Sequence, residues 1–264
     1  MGMSLSREKQ LFNAAFDGDL AKVRLLCNGP ALNINWQNKE GYTPLFVACQ
    51  EGQAKVVRQL LSLRGIDPLR PQHDGATPLF IACQKGHKEV ALLLLADLRI
   101  DLNKPTNDAA TPLYVASQNG HLGIVQHLLA SGREIDTKRR SAVSKRTAAE
   151  QGRAVGAKTT KDDKDKKEDF QRKKTNGPLC ADLIDAYEKD PAKVRSQLRE
   201  QLGLPGNPPL PHFFLPLFPF SFISYFFPMK LSPLLRSHLP WLPPHPCLVS
   251  VSLPLSPLFP PPSP

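Results

Sequence analysis

Glycine-rich phosphate loops are missing from this chain. Neither GxGxxG nor GxxxxGK occurs in its 264 residues, and no HExxH pair is present. Nucleotide-binding and zinc-protease templates therefore have no support. Cysteine is scarce. The five residues Cys27, Cys49, Cys83, Cys180 and Cys247 are odd in number and form no CxxC or Cys/His metal spacing, so neither a disulfide framework nor a zinc site organises the fold. Reduced, buried thiols in a cytoplasmic protein, or a nuclear one, are expected instead. Met1 to Gln10 has no apolar core of the secretory type. Long apolar runs are lacking too. In the apolar C-terminal part, the longest stretch without proline is Phe220 to Phe227, far short of the roughly 20 residues a membrane helix needs.

Basic excess is present but uneven. Residues 1–135 hold 14 Lys+Arg against 12 Asp+Glu, residues 136–204 hold 18 against 12, and residues 205–264 hold Lys230 and Arg236 with no acid. The net charge of +10 is the sum of +2, +6 and +2. A nearly neutral first half argues against specific nucleic-acid binding by the whole chain.

What the chain has is a repeat. Thr43-Pro44-Leu45-Phe46 returns as Thr77-Pro78-Leu79-Phe80 and as Thr111-Pro112-Leu113-Tyr114, at steps of 77 − 43 = 34 and 111 − 77 = 34. Gly18, Gly52, Gly86 and Gly120 keep the same beat. Each Thr can cap a helix, and Pro at the first helical position loses no useful N–H. Small residues follow at Ala48-Cys49, Ala82-Cys83 and Ala116-Ser117, where helices can approach closely. Val56-Val57 with Leu60-Leu61, Val90 with Leu93 to Leu95, and Ile124-Val125 with Leu128-Leu129 give second helices one apolar face. Before them, residues 4–29 read as two helices, capped by Ser6 and Asp19 and ended at Gly29-Pro30. No unit of this size buries its apolar face alone, so stability must come from stacking.

These units resemble ankyrin repeats, whose pattern runs from a turn ending in Gly through Thr-Pro-Leu-His, Ala-Ala, Gly-His and Val with Leu-Leu to Gly and Asn. Gly86-His87, Gly120-His121 and Asp101-Leu102-Asn103 match it, over roughly residues 5–140. Phe46, Phe80 and Tyr114 replace the signature His, and Ala109 replaces a turn Gly. The resemblance implies an all-α solenoid of helix-turn-helix units with short β-turn or hairpin loops. Its parts are an end unit 4–38, full units 39–72, 73–106 and 107–140, and a degenerate unit from 141 that completes a domain 4–156. Thr147 to Gly152 resemble the middle of that last unit's first helix.

Beyond it, 157–178 is dense in Lys and Asp and reads as a disordered charged insertion. Residues 179–203 read as a helical C-terminal cap. Residues 205–264 hold 18 of the 27 prolines and 8 of the 13 phenylalanines. They read as unstructured low-complexity sequence, or as sequence translated past a gene boundary. The rival readings are a proline-rich ligand and a membrane anchor, although the five prolines between Pro209 and Pro228 disfavour a span.

The resemblance implies a non-catalytic adaptor, monomeric, binding a protein on its concave face, with no cofactor, metal or catalytic residue. A membrane-tethered adaptor is the alternative. Carried over by position, the contact residues are Lys39, Glu40, Tyr42, Gln50 and Glu51 in the first full unit. His73, Asp74, Gln84 and Lys85 follow in the second, and Asn107, Asp108, Gln118 and Asn119 in the third. Trp36 reads either as an aromatic anchor or as packing. His87 and His121 take a structural position in this family, holding loop to helix. Lys138-Arg139-Arg140 with Lys145-Arg146 reads as a solvated surface, with nuclear import as the sharper alternative. The face assignment makes Leu94→Ala a core cavity, expected to lower stability by roughly 2–5 kcal/mol. An unchanged melting curve would contradict it.

Overall fold

The computed structural model describes residues 6–29, 32–157 and 167–205, all within the first of the chain's two units, Met1–His212. Helices come in pairs: α1 (Arg7–Asp17) with α2 (Leu20–Cys27), α3 (Pro44–Gln50) with α4 (Ala54–Leu61), and α5 (Pro78–Lys85) with α6 (Lys88–Leu95). Then follow α7 (Pro112–Gln118) with α8 (Leu122–Ala130), α9 (Ala148–Ala157) with α10 (Lys167–Lys189), and a single α11 (Pro191–Gln201). First helices stack on first helices, from α1 through α3, α5 and α7 to α9, and second helices stack alongside them. The final helix lies against α8 and α10. Among the described residues there is no strand.

Side-chain caps start α1, α2, α3, α5 and α7. Thr43, Thr77 and Thr111 are buried, and their Oγ1 atoms accept from the N–H of Phe46, Phe80 and Tyr114 at 3.0, 3.2 and 3.1 Å. Such a cap stabilises a helix by about 1 kcal/mol. Ser6 accepts from Lys9 N, and Asp19 from Lys22 N. Second helices share one register. Val56, Val57 and Leu60 are buried, as are Val90, Ala91 and Leu94, then Ile124, Val125 and Leu128, and finally Cys180, Ala181 and Ile184. Leu94 is fully buried.

Between units, the chain makes a turn whose tip is closed twice. Asn38, Gln72 and Thr106 donate N–H to the carbonyls of Tyr42, Ala76 and Ala110. Gly41, Gly75 and Ala109 donate back to Asn38, Gln72 and Thr106. The loops are thus the β-turns that the repeat implies.

The last pair departs from the others. Thr147 does not lie mid-helix but at the start of α9. Its Oγ1 accepts from Glu150 N (3.3 Å), and Glu150 Oε2 accepts from Thr147 N (2.9 Å), a reciprocal cap. The Glu150 carboxyl is held below its usual range, first by that Thr147 N–H and then by Arg140. Gly152 is where α9 meets its neighbours. A Cβ there would come within 2.6 Å of both Gly177 O on α10 and Ser117 Oγ on α7.

The reading of 157–178 as disordered needs correction from Lys167 onward, because α10 runs through it and through Pro178. The physical reason is a carbonyl requirement. Arg172 Nε donates to Asn119 O (3.3 Å) and Asn176 Nδ2 to Gly120 O (3.1 Å), so this segment closes the end of α7. A charged composition with little apolar surface did not reveal those polar anchors. The low-complexity tail lies outside the described residues apart from Pro205. Among the described residues, no helix is long and apolar enough to cross a membrane.

Ala109 carries φ 58°, in the left-handed region that Gly41 and Gly75 occupy at 83° and 85°. An L-residue there costs about 1–2 kcal/mol, part of which glycine gives back in chain entropy. Ala109→Gly is therefore expected to raise the urea midpoint, by a stability gain of roughly 1 kcal/mol. A lowered midpoint would mean that the Ala109 methyl packs more favourably than its backbone is strained.

Candidate protein-interaction face

Turn tips and the exposed edges of the first helices lie on one side of the stack. Consecutive tips are bonded, with Asn107 N donating to Asp74 O (2.8 Å) and Ala142 N to Asp108 O (2.7 Å). Between the tips and helices α5, α7 and α9 runs an open groove of about 340 Å³. Asp74, Phe80, Gln84, Asp108, Tyr114 and Gln118 line it, together with Ser141, Val143, Ser144 and Gln151.

Four of the residues carried over by position thus meet in one groove: Asp74, Gln84, Asp108 and Gln118. Lys39, Glu40, Glu51 and Lys85 are exposed along the same series of tips and helix ends. Gln50 Nε2 donates to Glu51 Oε1 (3.1 Å). The others do structural work. Tyr42 stacks on Phe46 with centroids 4.9 Å apart. The His73 ring packs where a Cβ on Gly41 would otherwise sit. Asn107 Nδ2 donates to His73 O (3.1 Å), and Asn119 Nδ2 to Gln84 O (3.0 Å). Both amides therefore join units together. Trp36 meets Phe12 edge-on at 6.0 Å, fixing the first loop against α1, and so it serves packing.

His87 Nε2 donates to Gln50 O (2.9 Å) and His121 Nε2 to Gln84 O (3.2 Å). Gln53 makes the equivalent bond, to Phe16 O (3.3 Å). A Cβ on Gly52 would come within 2.7 Å of the His87 ring, and Gly52 also has φ 72°, so glycine is required there twice over. The basic cluster is folded into a loop. Arg139 pairs with Asp136 (3.0 Å), and Arg140 makes a two-pronged bond to Glu150 (2.9 and 3.0 Å). Lys138 and Lys145 are exposed.

Gln151 was not found by sequence reasoning. Val47, Ile81 and Val115 each lie four residues after a capping Thr, and each donates N–H to that Thr carbonyl. Gln151 bears the same relation to Thr147. A glutamine in a slot otherwise held by buried aliphatic residues was the available signal. It was hidden because this unit's cap lies 147 − 111 = 36 residues after the last one.

Stacked helix pairs joined by closed turn tips define a helical repeat scaffold of the kind that presents a surface rather than a catalytic pocket. A family model described as ankyrin repeats (3 copies) matches residues 5–72 and 62–139. That is 139 − 4 = 135 of 264 residues, and the chain belongs to the ankyrin-repeat family. No curated protein matches it. Ankyrin repeats generally mediate protein–protein interaction, and proteins built from them are typically not enzymes.

The thiols test whether any nucleophile is hidden in the stack. Burial pushes Cys49 and Cys83 far up, Cys180 up to about 12, and Cys27 up as well. The reactive species is the thiolate, so at pH 8 the three buried thiols are expected to resist iodoacetamide in the native protein. Half-buried Cys27 should react first of the four, and all should react in denaturant. Mass spectrometry reads the result, and early labelling of Cys49 or Cys83 would show that the stack opens locally.

Proposed function

We propose that this chain is a non-catalytic adaptor that holds a protein partner against its concave face. In the ankyrin family that face is made by the turn tips and the exposed positions of the first helices. The observation that supports the reading is the groove, where Asp74, Gln84, Asp108 and Gln118 converge beside Phe80 and Tyr114. Polar groups with aromatic flanks suit a protein surface. Helices capped and stacked on both sides lose little freedom on binding, which favours affinity. Glu40, Glu51 and Lys85 extend the contact along the same series, and Lys39 lies at its far end. The adaptor acts as a monomer in the cytoplasm.

Asn107 and Asn119 hold units together, so they are left out of the test. Proteins captured by the full chain are identified first by mass spectrometry. Gln84→Ala, Lys85→Ala and Gln118→Ala combined are then expected to weaken binding of the captured partner at least about tenfold. Stability should shift by no more than about 0.5 kcal/mol per surface site. Unchanged affinity at unchanged stability would move the contact to another face.

A further inference from the structure

The groove is acidic on a basic chain. Asp74 and Asp108 line it, and among the described residues no lysine or arginine does, although the chain carries a net charge of +10. Glu40, Asp74 and Asp108 recur at steps of 34, one exposed acid at each successive turn tip. No salt bridge engages any of the three among the described residues. Asp74 Oδ1 accepts from Ala76 N (3.0 Å), which aims the carboxylate without neutralising it.

An independent feature lies on the groove wall. Gln151 is only 7 % exposed, and its Oε1 is shut off from solvent with no hydrogen-bond partner among the described residues. An unpartnered buried amide is costly to keep. The equivalent positions Val47, Ile81 and Val115 carry no polar group at all. A glutamine amide offers one acceptor and two donors side by side, the complement of a peptide group in an extended chain.

We propose that the groove receives an extended, basic protein segment. An Arg or Lys of that segment lies between the Asp74 and Asp108 carboxylates, and a backbone N–H meets Gln151 Oε1 as that side chain turns into the groove. Glu40 takes a further basic residue at the neighbouring tip. The carboxylate row repels nucleic acid, and a row of single charges spaced along the tips suits a linear segment that crosses several units. This proposal rests on the concave-face reading and narrows it to one chemistry.

The experiment uses the full chain against a phage-displayed library of random linear peptides. Selected peptides are expected to share Arg or Lys, and their affinity to fall as salt rises. Asp74→Asn with Asp108→Asn keeps one side-chain oxygen at each site and removes both charges. That pair should weaken the selected peptides about tenfold or more. Gln151→Leu should also weaken them while raising the melting temperature, a combination that a purely structural glutamine does not give. Selected peptides without basic residues, indifferent to the Asp substitutions yet lost in Gln84→Ala with Gln118→Ala, would overturn the basic-segment proposal and leave the concave-face reading standing. Peptides that tolerate all four of those substitutions would overturn both. Direct binding of single-stranded DNA to the chain that is lost in Asp74→Asn with Asp108→Asn would also overturn the proposal.

Discussion

Helices α1, α3 and α5 each end in a carbonyl that their own unit leaves open, and the rest of the structure depends on how that group is met. The partner comes from the next unit: Gln53 for Phe16, His87 for Gln50 and His121 for Gln84. An orphaned carbonyl in a packed turn would cost about 1–3 kcal/mol. The bond therefore ties stacking to chain continuity, since a unit without a successor has both an apolar face and a polar group exposed. The turn glycines follow from the same constraint. A side chain on Gly52 or Gly86 would occupy the space of the incoming imidazole.

A solenoid built this way needs an ending, and the charged segment supplies part of it. After α7 no histidine follows at the usual distance, and Arg172 and Asn176 of α10 reach the Asn119 and Gly120 carbonyls instead. The same helix brings Gly177 against Gly152 and completes the second-helix register with Cys180, Ala181 and Ile184. α11 then covers α8 and α10, its Val194 and Leu198 buried and Arg199 donating to Ala130 O (2.8 Å). Arg172, Asn176 and Arg199 thus do at the end of the stack what Gln53, His87 and His121 do inside it.

This division explains what could be read from sequence. The Thr-Pro starts, the glycine beat, the Ser6 and Asp19 caps and the faces of the second helices are local or periodic features, and they announced themselves. The structure of 167–178 did not. Its contribution includes hydrogen bonds across more than 50 residues, 172 − 119 = 53 and 176 − 120 = 56, and composition records burial but not bond partners. For the same reason, position alone placed Asn107 and Asn119 with the contact residues. Family register gives exposure of a site, whereas the direction of a side-chain amide depends on the neighbouring unit. Gln151 escaped because two extra residues before Thr147 shift the beat.

Stacking and the proposed recognition therefore draw on alternate positions of the same segments. At the second and third tips, one residue, His73 or Asn107, faces back into the stack, and the next, Asp74 or Asp108, lines the groove. At the end of α5, the Gln84 carbonyl is held by Asn119 and His121 while its side chain lines the groove. The Gln84 side chain can then vary without loosening the stack, because its backbone carbonyl is held by bonds that do not involve that side chain. The proposed binding face is held in place by the same bonds that stabilise the repeat.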